Sequence, residues 1–253
     1  MKDKISNEIQ RFVADFEKRD GIKSRWKTPL VGFASTMDPM FDMLKEVAVP
    51  EHLHPRDILA DCKTLIAYFL PFQDWIPESN IGKLESSEEW ARAYVETNIL
   101  IGEINDFLIG WLTGMGHETK KLNPSLNMDY ENLVSVWSNR HVAYVAGLGT
   151  FGMNNMLITE NGCCGRLGNV VTSLELEADK RTGKENCLNK YDGSCTACID
   201  NCVNDSLNLD EFDRFKCYEM LLANGEKYEY LGDASVCGKC LVGLPCSTEN
   251  PVG

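Results

Sequence analysis

The chain has 253 residues, 43% of them apolar, with 25 Lys and Arg against 38 Asp and Glu for a net charge of −13. The apolar fraction is ample for a folded core and excludes a disordered chain, and the length suits one large domain with or without a small second one. No apolar run approaches the roughly 20 residues that cross a bilayer, and the start Met1-Lys2-Asp3-Lys4 leads into no signal-type apolar block, so a soluble, cytoplasmic protein without a membrane partner is expected.

Residues 4 to 19 carry Ile5, Ile9, Phe12, Val13 and Phe16 at helical spacing before Gly21, which predicts an amphipathic first helix. Leu30 to Ala34 and Thr64 to Leu70 are short apolar runs bounded by Pro29 and Pro71, as buried strands are, with a short helical segment near Met40 to Val47 between them. Ser86 with Glu89 three residues on reads as a capping box for a long helix whose Trp90, Tyr94, Ile101, Ile104 and Leu108 keep to one face until Gly114 and Gly116. A further strand is expected over residues 169 to 176, and the polar stretch Glu177 to Asn186 reads as a linker. The alternation of helices and strands makes the fold class α/β or α+β, divided into a body over residues 1–180 and a cysteine-rich module over 181–253.

Eight of the 11 cysteines fall in the last 67 residues. A disulfide scaffold would need export, so thiols in this number point to metal. Cys195-x2-Cys198-x3-Cys202 is three quarters of the bacterial ferredoxin run, in which closely spaced thiolates wrap one four-iron cluster and the last reaches to another. Cys217 and Cys237-x2-Cys240-x5-Cys246 follow, and eight thiolates are what two [4Fe-4S] clusters require. The ferredoxin crossing assigns Cys195, Cys198, Cys246 and one more ligand to the first cluster, and Cys202, Cys217, Cys237 and Cys240 to the second. Where the run should begin stands Asp192, and the nearest upstream thiol is Cys187. Soft thiolates suit iron-sulfur clusters better than carboxylates, which favours Cys187 over an oxygen ligand from Asp192. Two zinc sites are the alternative, because paired CxxC knuckles also suit tetrahedral zinc.

Gly147-Leu148-Gly149-Thr150-Phe151-Gly152 matches G-x-G-x-x-G, but a dinucleotide site needs a helix to start there, and Met153 to Gly162 reads as a strand closing in a turn. Arg140 to Asn154, containing Ala146-Gly147-Leu148-Gly149 with Gly152 and Asn154, resembles the AGLGxxGxN segment of epoxyqueuosine reductase and its relatives. Leu53 to Leu59 with the strand to Pro71, and the cysteine module, extend the resemblance over most of the chain.

The resemblance implies a nitroreductase-like α/β body joined to a ferredoxin-like domain, with a corrinoid such as cobalamin between body and clusters. Electrons would pass through the clusters to cobalt and from there to a small-molecule substrate, after delivery by a donor such as ferredoxin or flavodoxin. Gly147, Leu148, Gly149, Gly152 and Asn154 become the corrinoid-facing positions, the glycines allowing close backbone approach to a flat macrocycle; a tight structural turn is the alternative. The family's acidic proton donor lies about a dozen residues before AGLG, where this chain has Leu133, with Asp129 and Glu131 out of register. Tyr130, His141 and Tyr144 are the other nearby donors, and the catalytic residue is left unassigned. The chain ends soon after Cys246, so a shorter relative without the family's helical C-terminal extension is expected. Its acidic balance repels phosphate backbones and speaks against nucleic acid as a partner. A cluster-only electron carrier or reductive activator for a corrinoid protein is the second functional reading. His52 and His54 are expected to serve a loop or helix start, Cys163-Cys164 to be an inert pair, and Cys62 to be a small core residue.

Overall fold

The structure, a computed structural model, describes residues 1–123 and 127–253. Helix α1 (Lys2–Phe16) buries Ile5, Ile9, Val13 and Phe16, one face of a helical period. Strand β1 (Leu30–Ser35), helices α2 (Met40–Val47) and α3 (Pro55–Ile58) and strand β2 (Thr64–Pro71) follow. Helix α4 (Trp75–Ser79) precedes the long α5 (Glu88–Gly114). Then come β3 (Thr119–Lys120), β4 (Met128–Asp129), β5 (Val134–Ser135), α6 (Asn139–Val145), β6 (Thr150–Phe151), β7 (Leu157–Ile158) and β8 (Gly165–Thr172). The cysteine-rich end adds α7 (Leu188–Asp192), α8 (Ala197–Asp200) and α9 (Arg214–Lys227), with 3-10 turns at Glu229–Leu231 and Lys239–Leu241.

The main sheet runs β1-β2-β8-β3 with antiparallel pairing throughout, beside the two-stranded ribbons β4-β5 and β6-β7. The fold is therefore mixed α and β around antiparallel sheets. All eight positions of β2 are buried, and its alternation divides the interior. Ile66, Tyr68 and Leu70 join the core made with α1 and α5, whereas Leu65 and Ala67 join the core made with α2 and α6.

Three expectations shift. The last strand starts at Gly165 and ends at Thr172, because β8 matches β2 residue for residue from Thr64 with Thr172 to Pro71 with Gly165. The long helix is capped by Ser87, whose Oγ accepts from Trp90 N at 3.1 Å, while the buried Ser86 hydroxyl donates to the Cys237 carbonyl at 2.9 Å. The stretch read as a linker is strapped to the body: Asp179 N donates to Phe33 O and its carboxylate accepts from Phe33 N. Farther along, buried Asn186 donates to Ile158 O at 2.7 Å and receives a bond from Asn250.

The core against α5 also takes in Cys187, Tyr228, Ala234, Val236, Leu241 and Val242, so the cysteine-rich residues pack on the same interior as the sheet. Polar contacts fix that packing. Asn224 of α9, 1% exposed, accepts from Ser86 N at 2.9 Å and donates to Met220 O at 2.8 Å. Replacing Asn224 with Ala strands a buried backbone N–H and is expected to lower unfolding free energy by about 1–3 kcal/mol. Urea unfolding of the two proteins checks this, and an unchanged midpoint would refute it.

Candidate functional site: two groups of four cysteines

The module's short elements bring its eight thiols together in two sets. Cys187 stands at the N-terminus of α7, Cys198 lies in α8 with Cys195 just before it, and Cys246 follows the last 3-10 turn. All four line one small pocket partly open to solvent, whose other walls include Gly152, Met153, Asn154 and Pro245. Burial, with the charges of Cys246, Cys187 and Cys195 added, pushes the Cys198 thiol up to about 11. Asp192 lies outside this ring: it is exposed, and Oδ1 accepts from Ser194 N at 2.9 Å, a turn that follows Gly193 in the left-handed region. Those bonds from Ser194 hold its carboxyl below the usual range.

The second set is Cys202, Cys217 on α9, Cys237 and Cys240. Burial, then the charges of Cys237 and Cys202, pushes the Cys217 thiol up to about 11. Burial also raises Cys240, as do Cys237, Cys217, Cys202 and, from the first set, Cys198, so the two sets adjoin. Burial acts upward on Cys202 too, but hydrogen bonds from Ser206 and the backbone N–H groups of Asn204, Leu207 and Ser206 outweigh it and bring that thiol below its ordinary value.

Among the described residues no three His, Cys, Asp or Glu side chains converge as ligands of one ion. Four thiols around a shared space are a donor set that suits a soft metal or an iron-sulfur core. The second set carries a further sign of fit. The indole Nε1 of Trp90 is buried with no hydrogen-bond partner among the described residues, and it lies against Gly238, between Cys237 and Cys240, where a Cβ would overlap the indole ring. A native buried N–H without a partner calls for an acceptor, and cluster or thiolate sulfur supplies one.

The body closes on both sets. Asn154 donates to the Cys240 carbonyl at 3.0 Å, and Cys163 N and Cys164 N donate to the carbonyls of Cys246 and Ser247 at 3.0 and 2.9 Å. Cys163 is buried beside Cys246, a neighbour that nothing in the sequence spacing announced. Cys164 Sγ meets Leu241 O at 3.2 Å, and Cys62 is buried in the body.

The glycine loop does not present a face for a macrocycle. A Cβ on Gly147, which has φ +80°, would press on Lys180 O at 3.0 Å, and one on Gly149 would overlap the Ile158 carbonyl. Leu148 packs against Gly32 and the α2–α6 core. Gly152 and Asn154 line the thiol cavity. The chain's own packing thus accounts for the absent side chains, and the loop is the seam between body and cysteines. No helix starts after it, which removes the dinucleotide reading.

The proton-donor positions are occupied otherwise. Asp129 accepts from Glu131 N, Asn132 N and Asn132 Nδ2, closing the β4-β5 turn in which Leu133 has φ +52°. Tyr130 is 72% exposed, and Tyr144 packs 6.0 Å from Phe151. His54 caps α3 in a reciprocal box with Asp57, and buried His52 bonds Leu53 O and Ser138 N. His141 lies 4.8 Å from the Phe151 ring with Nδ1 2.7 Å from Ser138 Oγ. Burial, then the charges of Arg140 and His52, lowers its pKa from 6.5 to about 4. The unfolded chain therefore takes up this proton first as the pH falls, so the stabilisation is complete above about 6.5 and disappears toward about 4. His141→Phe is expected to flatten that part of the stability profile, and imidazole NMR of the folded protein should show no protonation at pH 6; a midpoint near 6.5 would contradict it.

No family model matches the chain. An epoxyqueuosine reductase of Cyclobacterium marinum is 25% identical over 174 residues, 68% of this chain and 52% of the relative, so the match spans about half of that protein. Among solved structures, an epoxyqueuosine reductase with an epoxyqueuosine-modified tRNA-Tyr stem loop superposes with a TM-score of 0.59 at 19% identity, covering 98% of this chain and 66% of that one. The enzyme from Bacillus subtilis gives 0.58 at 19% identity over 97% and 67%, and that from Streptococcus thermophilus 0.54 at 18% over 98% and 68%. The chain has the fold of the epoxyqueuosine reductases, of which it is a distant relative in sequence.

Proposed function

We propose that the chain is an iron-sulfur oxidoreductase in which two [4Fe-4S] clusters pass single electrons to an acceptor at the body. Cys187, Cys195, Cys198 and Cys246 would hold the first cluster, and Cys202, Cys217, Cys237 and Cys240 the second. The observation that carries this reading is the shared cavity ringed by the first four thiols, beside a second set of four. The organisation we propose is a body over 1–180 and a two-cluster, ferredoxin-like module over 181–253. Relatedness to epoxyqueuosine reductases supports a reductase. The chain's own residues would hold the clusters and keep the two sets adjacent, which short-range electron transfer requires.

A corrinoid is the acceptor that the family likeness suggests; when bound, it would supply a strongly reducing cobalt centre. The loop first assigned to it does not fit that role, since Gly147 and Gly149 turn into protein and Gly152 and Asn154 face the thiols. No step is therefore drawn through it. The same closed loop favours the second reading, a cluster-only electron carrier serving another protein. For the substrate, a structural neighbour solved with an epoxyqueuosine-modified tRNA stem loop points to a nucleic-acid partner, against the expectation drawn from net charge. Charges farther apart than about 10 Å are screened in physiological salt, so a global excess of carboxylates does not govern a local contact.

Anaerobic reconstitution tests the proposal. About eight irons and eight sulfides per chain are expected, falling to about four of each in Cys187→Ala and unchanged in Asp192→Ala. One or two zinc ions with no sulfide would overturn it. Titrating the loaded protein with cob(II)alamin separates the two readings: a saturable shift to the base-off spectrum identifies a corrinoid reductase, and an unshifted spectrum identifies the carrier.

A further inference from the structure

Lys239 sits between two cysteines of the second set, in the 3-10 turn Lys239–Leu241, and is 4% exposed. Its ammonium donates to Asn80 O at 2.8 Å, Asn80 Oδ1 at 3.0 Å and Gly82 O at 2.8 Å. All three donors are used, yet every acceptor is neutral. No carboxylate pairs with Nζ among the described residues; Lys83 and Lys227 add charge of the same sign, and the opposing charge comes from Cys237. A buried ammonium is costly unless an anion compensates it, and hydrogen bonds to carbonyls satisfy its donors without cancelling its charge. Next to it, across Gly238, the unpartnered Nε1–H of Trp90 is a second group with a donor and no acceptor. Two independent deficits, one of negative charge and one of a hydrogen-bond acceptor, thus flank the Cys237–Cys240 turn.

We propose that Lys239 and the Trp90 indole N–H act directly on the second cluster, as counter-charge and as N–H···S donor, and make it easier to reduce. The inference rests on the two-cluster reading. Four thiolates around a four-iron core form an anionic centre, and taking up one electron from a one-electron donor adds a further negative charge. A fixed positive charge and a fixed donor stabilise the reduced form more than the oxidised one, so the potential rises. The ammonium also ties residues 80–82 to the module, where Asn80 Nδ2 donates to Cys237 O at 2.9 Å.

The test compares reconstituted wild type, Lys239→Met, Trp90→Phe and Asn80→Ala by iron and sulfide assay and then by an EPR-monitored redox titration with dithionite. Trp90→Phe keeps the ring that packs edge-on against Phe72 and removes the N–H. Asn80→Ala loosens the same loop and keeps the ammonium. Lys239→Met is expected to lower the reduced-to-oxidised ratio of one cluster at least tenfold at a fixed poise, about 59 mV for a one-electron couple. Trp90→Phe should shift the same signal the same way by a smaller amount, with the other cluster unmoved in both. Unmoved potentials in fully loaded Lys239→Met and Trp90→Phe would overturn the inference, as would an Asn80→Ala shift equal to that of Lys239→Met. Should Lys239→Met fail to load, the Trp90→Phe shift decides alone. A wild type that takes up no iron and sulfide would overturn the function itself, a separate and earlier result.

Discussion

Eight thiols held at the edge of one core repel one another as soon as they ionise, and the arrangement of the polypeptide around them follows from that constraint. Burial raises Cys198, Cys217 and Cys240, and each neighbouring thiolate raises them further. Ligation requires the deprotonated form, so the free energy of metal binding must displace these protons and offset the crowding. A flexible module would relieve the strain by spreading apart. Here backbone bonds from Cys163 and Cys164 to Cys246 and Ser247, from Asn154 to Cys240 and from Asn80 and Ser86 to Cys237 keep the ligand segments in place. The body acts as the mould for the cysteine module.

That mould depends on the sheet. Because β2 is buried on both faces, the antiparallel sheet is a rigid partition, with α1 and α5 on one side and α2 and α6 on the other. Strand β8 emerges from the Cys163-Cys164 pair that holds Cys246, so the position of the first thiol set is fixed by the register of β8 on β2. The second set is fixed by α5, whose first turn supplies Trp90 and whose flank supplies Ser86. One helix and one strand, already required by the core, therefore determine where both sets lie.

Much of this was legible in sequence. The period of apolar residues located α1, α2, β1 and β2, and the thiol spacing marked the cysteine-rich module, because spacing is a local property of the chain. What misled were residues with two physical uses. Ser86 has the composition of a helix cap but spends its hydroxyl on Cys237, leaving Ser87 to cap. The glycines of residues 147–152 admit either a ligand or the chain's own backbone, and only the positions of Lys180 and Ile158 decide between them. Lys239 and Trp90 carried no signal, since a lysine inside CxxC and a tryptophan on an amphipathic helix are ordinary until the fold removes their water and their partners.

The distribution of polar contacts also makes the two sets unequal. The first set opens to solvent and is walled by Gly152, Met153 and Pro245, which bring no charge. The second has a lysine, an indole N–H and the Ser206 hydroxyl beside its cysteines. Solvent exposure and hydrogen bonds to sulfur are the levers by which a protein separates the potentials of chemically identical clusters. If both sets held clusters, the donors beside the second would favour its reduced form over that of its neighbour. An electron shared between them would then rest beside α5 and α9, so that the solvent-facing pocket of the first set and the storage of charge would fall to different sets of four cysteines.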